Sequence, residues 1–232
     1  MYDGKALHRL FLVAAVGIAV VCALSLWADV VPAAAQLLYL LDVTSSEQTQ
    51  AIYGAIPPPA VPALAYVVAG VPFLLWLGRA RRHLIDFEAR PAYSPGWAVG
   101  AWIIPIASFI LPALVVADVA RWSATDEATR PSRRDLLRLV WAWWAGYGLH
   151  SVGILVIAVL QSRITGDPTT PPIVLDVARL VLLALYVASG VLAMLMMRAI
   201  GQAQAAQAAG VVSQPDPADF PAFTVDEVQH PA

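Results

Sequence analysis

The residue most able to do chemistry in this sequence is His150, which lies inside the apolar segment 139–160. A charge at the middle of a bilayer costs about 2.5–3.5 kcal/mol on insertion scales, so an ionisable residue there is a candidate functional site. His150 shares a helix face with Gly146 and Gly153, which predicts that it points at a neighbouring helix. It is either a proton or ion relay, or a neutral imidazole that fixes packing through one hydrogen bond.

Ser189, in the apolar segment 173–197, could form a serine–histidine dyad with His150. Counted from the same end of their helices, the two residues differ in depth by only about 5 Å at about 1.5 Å per residue. However, Val187 stands where a rhomboid-type site has glycine, and neither a second histidine nor an oxyanion loop completes such a site. An intramembrane serine hydrolase is therefore a remote alternative, and a packing serine is favoured.

A third candidate region is the apolar segment 97–117, which is long enough to cross a bilayer but contains Pro105 and Pro112. Each proline removes an amide donor and frees a carbonyl one turn earlier. Within lipid such carbonyls need protein or water partners. The segment is therefore either a kinked inner helix or a re-entrant element that turns back.

Four side chains in or near these segments form a candidate intramembrane polar site: His150, Ser108, Asp118 and Arg121. Asp118 and Arg121 are three residues apart and can pair across one helix turn. If Asp118 faces the bundle interior, it could partner His150 instead. Ser108, the carbonyls freed by the prolines and His150 could together form a small-solute or proton pathway, because transporters build sites at broken helices.

The elements that must position these residues are membrane helices. Of the 232 residues, 59% are hydrophobic and 13% charged, whereas a soluble domain is about 45–50% apolar and about 25% charged. A spanning helix needs about 20 mostly apolar residues, and four segments qualify: 10–31, 61–77, 139–160 and 173–197. We predict an all-α integral membrane protein, a polytopic bundle with four firm transmembrane helices plus one proline-broken segment. The membrane domain covers residues 1–200, and residues 201–232 form a disordered cytoplasmic tail.

The distribution of basic residues predicts the topology, because cytoplasmic loops carry excess Lys and Arg. If the proline-broken segment returns to its own side, twelve of the fourteen basic residues share one side, with only Arg163 and Arg179 opposite. If the segment crosses, eight basic residues lie on one side of the membrane and six on the other. The argument for a crossing is that a segment of 21 uncharged residues normally inserts across the membrane. We favour the returning arrangement, with the N- and C-termini in the cytoplasm of a bacterium and the bundle in its cytoplasmic (inner) membrane.

Four arginines after the second apolar segment could contact anionic lipid headgroups, at about 1 kcal/mol for each residue near the surface. They are Arg79, Arg81, Arg82 and Arg90. The same cluster is an ordinary stop-transfer flank in most membrane proteins. The net charge of −2 gives no field for attracting nucleic acid. The single cysteine, Cys22, excludes an intrachain disulfide and a cysteine-built metal site.

Three sequence blocks between residues 73 and 145 carry a family resemblance: FLLWLGRARRHL, SPGWAVGAWIIPIASFILPALVVADVARWS and WAWW. In their order and spacing they resemble an uncharacterised bacterial membrane family, domain of unknown function 4328. The family usually has asparagine where His83 and Ser108 stand here, and glutamate where Asp118 stands. The resemblance implies an integral membrane protein and brings no known activity, substrate or catalytic residue.

Because no catalytic, nucleotide-binding or metal-binding motif is present, the leading prediction is a non-enzymatic membrane module that needs no cofactor. Besides the lipid bilayer, its expected partners are a membrane protein, a second copy of the chain or anionic lipid. The alternatives are the solute or proton pathway and, more remotely, the serine hydrolase.

Overall fold

The structure is a computed structural model that describes residues 3–56, 58, 60–86, 89–94, 96–104, 107–124, 131–164 and 172–210. These residues form seven α-helices and one 3-10 turn, and they contain no strand. The helices are α1 (Gly4–Leu40), α2 (Ser46–Gly54), α3 (Ala60–Asp86), α4 (Trp97–Ile103), α5 (Leu111–Ser123), α6 (Arg133–Ile164) and α7 (Pro172–Ala208). Within the described residues, α1, α3, α6 and α7 are long and apolar enough to cross a membrane, which confirms the predicted all-α polytopic bundle.

Helix α1 is longer than the predicted span 10–31. It begins at Gly4, where the Asp3 carboxylate caps the helix by accepting a hydrogen bond from the Ala6 amide at 3.0 Å. It also continues through Pro32 to Leu40. Proline removes one backbone donor and crowds the carbonyl one turn earlier, so α1 passes Pro32 without that hydrogen bond and remains one continuous helix.

The four long helices are arranged as an open arc in the order α3, α1, α7, α6, with each helix packed against the next. Small residues allow the close approaches. A Cβ on Gly17 of α1 would lie 3.0 Å from Ala69 Cα of α3, and a Cβ on Gly190 of α7 would lie 2.9 Å from Cys22 Sγ of α1. Small residues at helix interfaces are what membrane bundles use for tight packing.

The proline-broken segment enters the bundle and turns back. Just before α4, the Tyr93 amide donates to Asp118 Oδ2 of α5 at 3.3 Å, so the start of α4 and the later half of α5 lie at the same depth. Between the two helices is a 3-10 turn, Ala107–Phe109, whose Phe109 carbonyl accepts from Trp144 Nε1 of α6 at 3.0 Å. Trp144 lies about 16 Å along α6 from its first residue, at about 1.5 Å per residue. The segment is therefore re-entrant.

The two prolines have different outcomes. Pro112 occupies the first turn of α5, where no amide donor is required, so it begins a helix instead of interrupting one. Pro105 lies outside the described residues. Helix α5 is the most enclosed element, with buried residues along almost its whole length: Pro112, Ala113, Val115, Val116, Ala117, Asp118, Val119, Ala120, Trp122 and Ser123.

The predicted boundary at residue 200 is wrong for the part of the chain that the structure describes. Helix α7 continues without a break to Ala208, and Gln204 is completely buried. The Ala- and Gln-rich sequence favours a helix, and contacts with α3 and α5 stabilise it there. The remainder of the predicted tail, residues 211–232, lies outside the described residues.

Candidate functional site

The bundle has one strongly basic end, where α1 and α6 begin and α3 and α7 end. Arg79 Nη2 of α3 pairs with Asp3 Oδ2 at 3.2 Å. The amide of Ala6 lowers the pKa of the Asp3 carboxyl, and the Arg79 guanidinium lowers it further. Eight basic side chains here are exposed: Lys5, Arg9, Arg82, Arg90, Arg121, Arg134, Arg138 and Arg198. We call this set the basic end.

Arg81 is buried, so the predicted contact between this arginine and lipid headgroups is wrong. Only 2% of its side chain is exposed, and its Nη1 lies 3.5 Å from Asp118 Oδ2 of α5. The Asp118 side chain is also buried. The other three arginines of the predicted cluster, Arg79, Arg82 and Arg90, are partly or fully exposed. The physical reason is the α-helical period, which points Arg81 inward while its neighbours point outward.

Asp118 pairs with Arg81 in the structure, and not with Arg121 as predicted. Arg121 is exposed at the end of α5, while Asp118 points inward to Arg81 and accepts the Tyr93 amide. Burial raises the pKa of the Tyr93 phenol, and the Asp118 carboxylate raises it further. Tertiary packing of α3 against α5 therefore decides the partner of Asp118.

A buried glutamine attaches the end of α7 to the re-entrant segment. Gln204 Nε2 donates to the Ala80 carbonyl of α3 at 2.9 Å and to Ser123 Oγ of α5 at 3.0 Å. One turn further on, Gln207 Nε2 donates to the Trp122 carbonyl at 3.1 Å. These bonds could not be predicted from the sequence, because Gln204 lies in a stretch that resembles a flexible tail in composition.

His150 lies against α7, as its small-residue face predicts. Its Nδ1 lies 3.0 Å from the Leu182 carbonyl, and its ring contacts Tyr186 with centroids 4.6 Å apart. Since a carbonyl only accepts, Nδ1 carries the proton. On the same face, a Cβ on Gly146 would lie 3.3 Å from Ser189 Cβ. This geometry is that of a packing histidine with one hydrogen bond.

Ser189 and His150 do not bond to each other in this structure. Ser189 Oγ donates to the Trp143 carbonyl of α6 at 3.0 Å and is 2% exposed, while His150 bonds to the Leu182 carbonyl. Each side chain instead bonds a backbone carbonyl of the opposite helix. The four residues of the predicted polar site are likewise separated: Asp118 and Arg121 lie towards the basic end, and His150 contacts α7.

Ser108, one of the four residues of the predicted polar site, lines a cavity inside the bundle. The cavity has a volume of about 680 Å³ and is bounded by α1, α3, α6, α7 and the re-entrant turn. Its lining is mainly aliphatic and aromatic, with hydroxyl groups from three tyrosines and three serines: Tyr66, Tyr147, Tyr186, Ser108, Ser151 and Ser189. Among the described residues, His, Cys, Asp and Glu form no group of three that could hold a metal ion.

Four candidate spans around a re-entrant segment define a polytopic α-helical protein of the membrane-spanning type. The sequence profile of the family described as Domain of unknown function (DUF4328) matches residues 39–205, and the chain belongs to this family. The match extends well beyond residues 73–145 and includes α2 and most of α7. No curated protein and no solved structure matches the chain.

Proposed function

We propose that the protein is a non-enzymatic membrane module that binds anionic lipid at its basic end. The observation that carries the proposal is the return of the re-entrant segment. Because the segment turns back, Arg90 before α4 and Arg121 at the end of α5 lie at the same end as Arg82 of α3 and Arg134 of α6. A crossing segment would divide them between the two sides of the membrane.

The exposure of these arginines supports headgroup binding. Each arginine near an anionic surface contributes about 1 kcal/mol, and guanidinium groups form paired hydrogen bonds with phosphate. Arg81, the one buried arginine among the described residues of this end, is already paired with Asp118. Arg82, Arg90 and Arg121 are exposed on the surface of the same end, where lipid headgroups would lie.

Lipid is a better-supported partner than protein because the small-residue faces are used inside the bundle. Gly17 faces Ala69, and Gly146 faces Ser189. A partner helix docking on these faces would have to displace α3 or α7. We further propose that the membrane is a bacterial cytoplasmic membrane with both termini in the cytoplasm, and the positive-inside rule supports this orientation because the basic end would face the cytoplasm.

The alternative pathway for a solute or proton has weaker support. Ser108 lines the cavity, but His150 is not among the lining residues and its Nδ1 bonds to backbone. The serine hydrolase requires a contact between Ser189 and His150, and these residues bond to different carbonyls.

The test is lipid retention by the purified full chain, measured by native mass spectrometry from a mixture of phosphatidylglycerol and phosphatidylcholine. We expect wild type to retain phosphatidylglycerol selectively, and the triple variant Arg82→Gln, Arg90→Gln, Arg121→Gln to lose most of that selectivity. The matched control is Arg163→Gln at the opposite end of the bundle, and we expect this variant to retain the selectivity for phosphatidylglycerol. Equal selectivity in the triple variant and the control would refute the proposal.

A further inference from the structure

The internal cavity contains an unusual set of tyrosines. Tyr66, Tyr147 and Tyr186 line it, and each lies within one helical turn of the middle of its apolar segment. Tyrosine is normally enriched at the two membrane interfaces, where its hydroxyl meets water. In hydrocarbon a hydroxyl without a partner costs free energy. Three phenols around one space at mid-depth therefore point to a ligand.

The cavity opens sideways, towards the hydrocarbon. Helices α3 and α6 are the two ends of the open arc, and they are bridged by the hydroxyls of Tyr66 and Tyr147, 2.6 Å apart. Val67 and Phe109 at this opening are 61% and 57% exposed. A ligand can therefore enter from the bilayer.

Hydrogen-bond donors in the cavity are left over after the protein's own bonds are formed. Ser151 Oγ donates to the Tyr147 carbonyl and Ser189 Oγ to the Trp143 carbonyl, so those two donors are used. In the Tyr66–Tyr147 pair one hydroxyl donates to the other, which leaves one phenolic proton for a further acceptor. Trp102 Nε1 is enclosed by protein, so Trp102 contributes its ring to the lining and not a donor.

The ligand must supply acceptors, carry no charge and dissolve in hydrocarbon. Among the described residues, no charged side chain lines the cavity, which disfavours an ion or a charged headgroup. The carbonyls of ester lipids are held at the membrane interface, whereas these donors lie near the middle of the apolar segments. A volume of about 680 Å³ accommodates a ring and a short chain, since ligand pockets are typically about 300–1,000 Å³.

We propose that this cavity is a binding site for an isoprenoid 1,4-quinone, one of whose carbonyl oxygens accepts a hydrogen bond from the Tyr66–Tyr147 pair. Trp102, Trp143 and Phe73 form the aromatic wall against the ring. The proposal concerns binding only, and it is independent of lipid binding at the basic end.

The experiment uses the full chain in phospholipid nanodiscs, titrated with a 1,4-benzoquinone that carries a short isoprenoid tail. We expect saturable quenching of tryptophan fluorescence beyond that caused by partitioning into the lipid. The same tail on a benzene ring without carbonyls should bind about three- to tenfold more weakly, because the hydrogen bond from the tyrosine pair is lost. Diacylglycerol should not displace the quinone.

Two sets of variants locate the site. Gly70→Phe places a large side chain in the cavity, because Gly70 lines it. Gly78→Phe is the control on the same helix, because Gly78 does not line the cavity. At both glycines an added Cβ meets no atom within 4 Å. We expect Gly70→Phe to abolish saturable quenching and Gly78→Phe to preserve it. Tyr66→Phe with Tyr147→Phe should weaken binding about two- to tenfold while conserving shape.

Several results would overturn the proposal. They are quenching equal to that in empty nanodiscs, equal affinity for the ring without carbonyls, displacement by diacylglycerol, or unchanged affinity in the tyrosine double variant. If Gly70→Phe does not fold, the tyrosine double variant and the carbonyl-free ligand decide the question without it.

Discussion

Arg81 of α3 and Asp118 of α5 form a buried ion pair, with Nη1 and Oδ2 3.5 Å apart, at the point where the re-entrant segment approaches the basic end. Both side chains are removed from solvent, so neither charge is hydrated by bulk water. The Tyr93 amide gives Asp118 a second partner and joins the beginning of the re-entrant segment to its end. The pair therefore fixes where the segment returns.

Removing one member of this pair should destabilise the protein strongly. Asp118→Ala leaves a buried guanidinium unpaired, which costs about 3–5 kcal/mol. Asp176→Ala is the control, because Asp176 and Arg179 form a partly exposed pair at 3.7 Å whose loss costs about 0–1 kcal/mol. Thermal unfolding in detergent measures both. Replacing both residues, as Arg81→Met with Asp118→Leu, should recover most of the lost stability. Equal melting temperatures for Asp118→Ala and wild type would contradict the role of the pair.

Gln204 should matter more than its place in an alanine- and glutamine-rich stretch indicates. Gln204→Ala removes the donor to the Ala80 carbonyl and Ser123 Oγ, and a buried polar group that loses its partner costs about 1–3 kcal/mol. Gln202→Ala, at an exposed position of the same helix, should change stability little. Limited proteolysis and thermal melting check the prediction, and indistinguishable profiles for the two variants would count against it.

The side of the membrane on which α6 begins can be tested by cysteine accessibility. In a Cys22→Ser background, Arg134→Cys should react with a membrane-impermeant thiol reagent from the same side as Lys5→Cys, and Arg163→Cys from the opposite side. The reason is that the re-entrant segment returns to the end where α3 terminates. Labelling of Arg134→Cys and Lys5→Cys from different sides would show that the segment crosses.

The interface between α6 and α7 should reject a larger side chain at Gly146. A Cβ there already lies 3.3 Å from Ser189 Cβ and 3.5 Å from the Leu185 carbonyl, so Gly146→Leu should destabilise the bundle by about 1–3 kcal/mol through overpacking. Gly148→Leu is the matched control, since a Cβ at Gly148 meets nothing within 4 Å. Melting temperatures in one detergent compare the two, and an equal loss at both positions would argue against a tight interface at Gly146.

The sequence was sufficient to predict the parts of the fold that depend on local or summed properties. Runs of about 20 apolar residues predict the four candidate spans, and the excess of arginine on one side favours a return of the broken segment over a crossing. His150 was correctly predicted to face another helix, because Gly146 and Gly153 share its face and lie against α7.

Contacts between distant segments could not be predicted in this way. The spacing of Asp118 and Arg121 indicated a pair within one helix, yet Arg81 is the partner because α3 packs beside α5. The hydroxyls of Tyr66 and Tyr147 meet although 81 positions separate them. No periodicity within a single segment encodes which side chain of another helix it will meet.

The bonds from Gln204 and Gln207 to α5 have a consequence for biogenesis. These side chains belong to α7, which leaves the ribosome after the loop that they fasten. The end of α5 can therefore form these hydrogen bonds only after α7 has been synthesised. Nascent chains halted before α7 emerges should be the preferred substrates of membrane quality-control proteases.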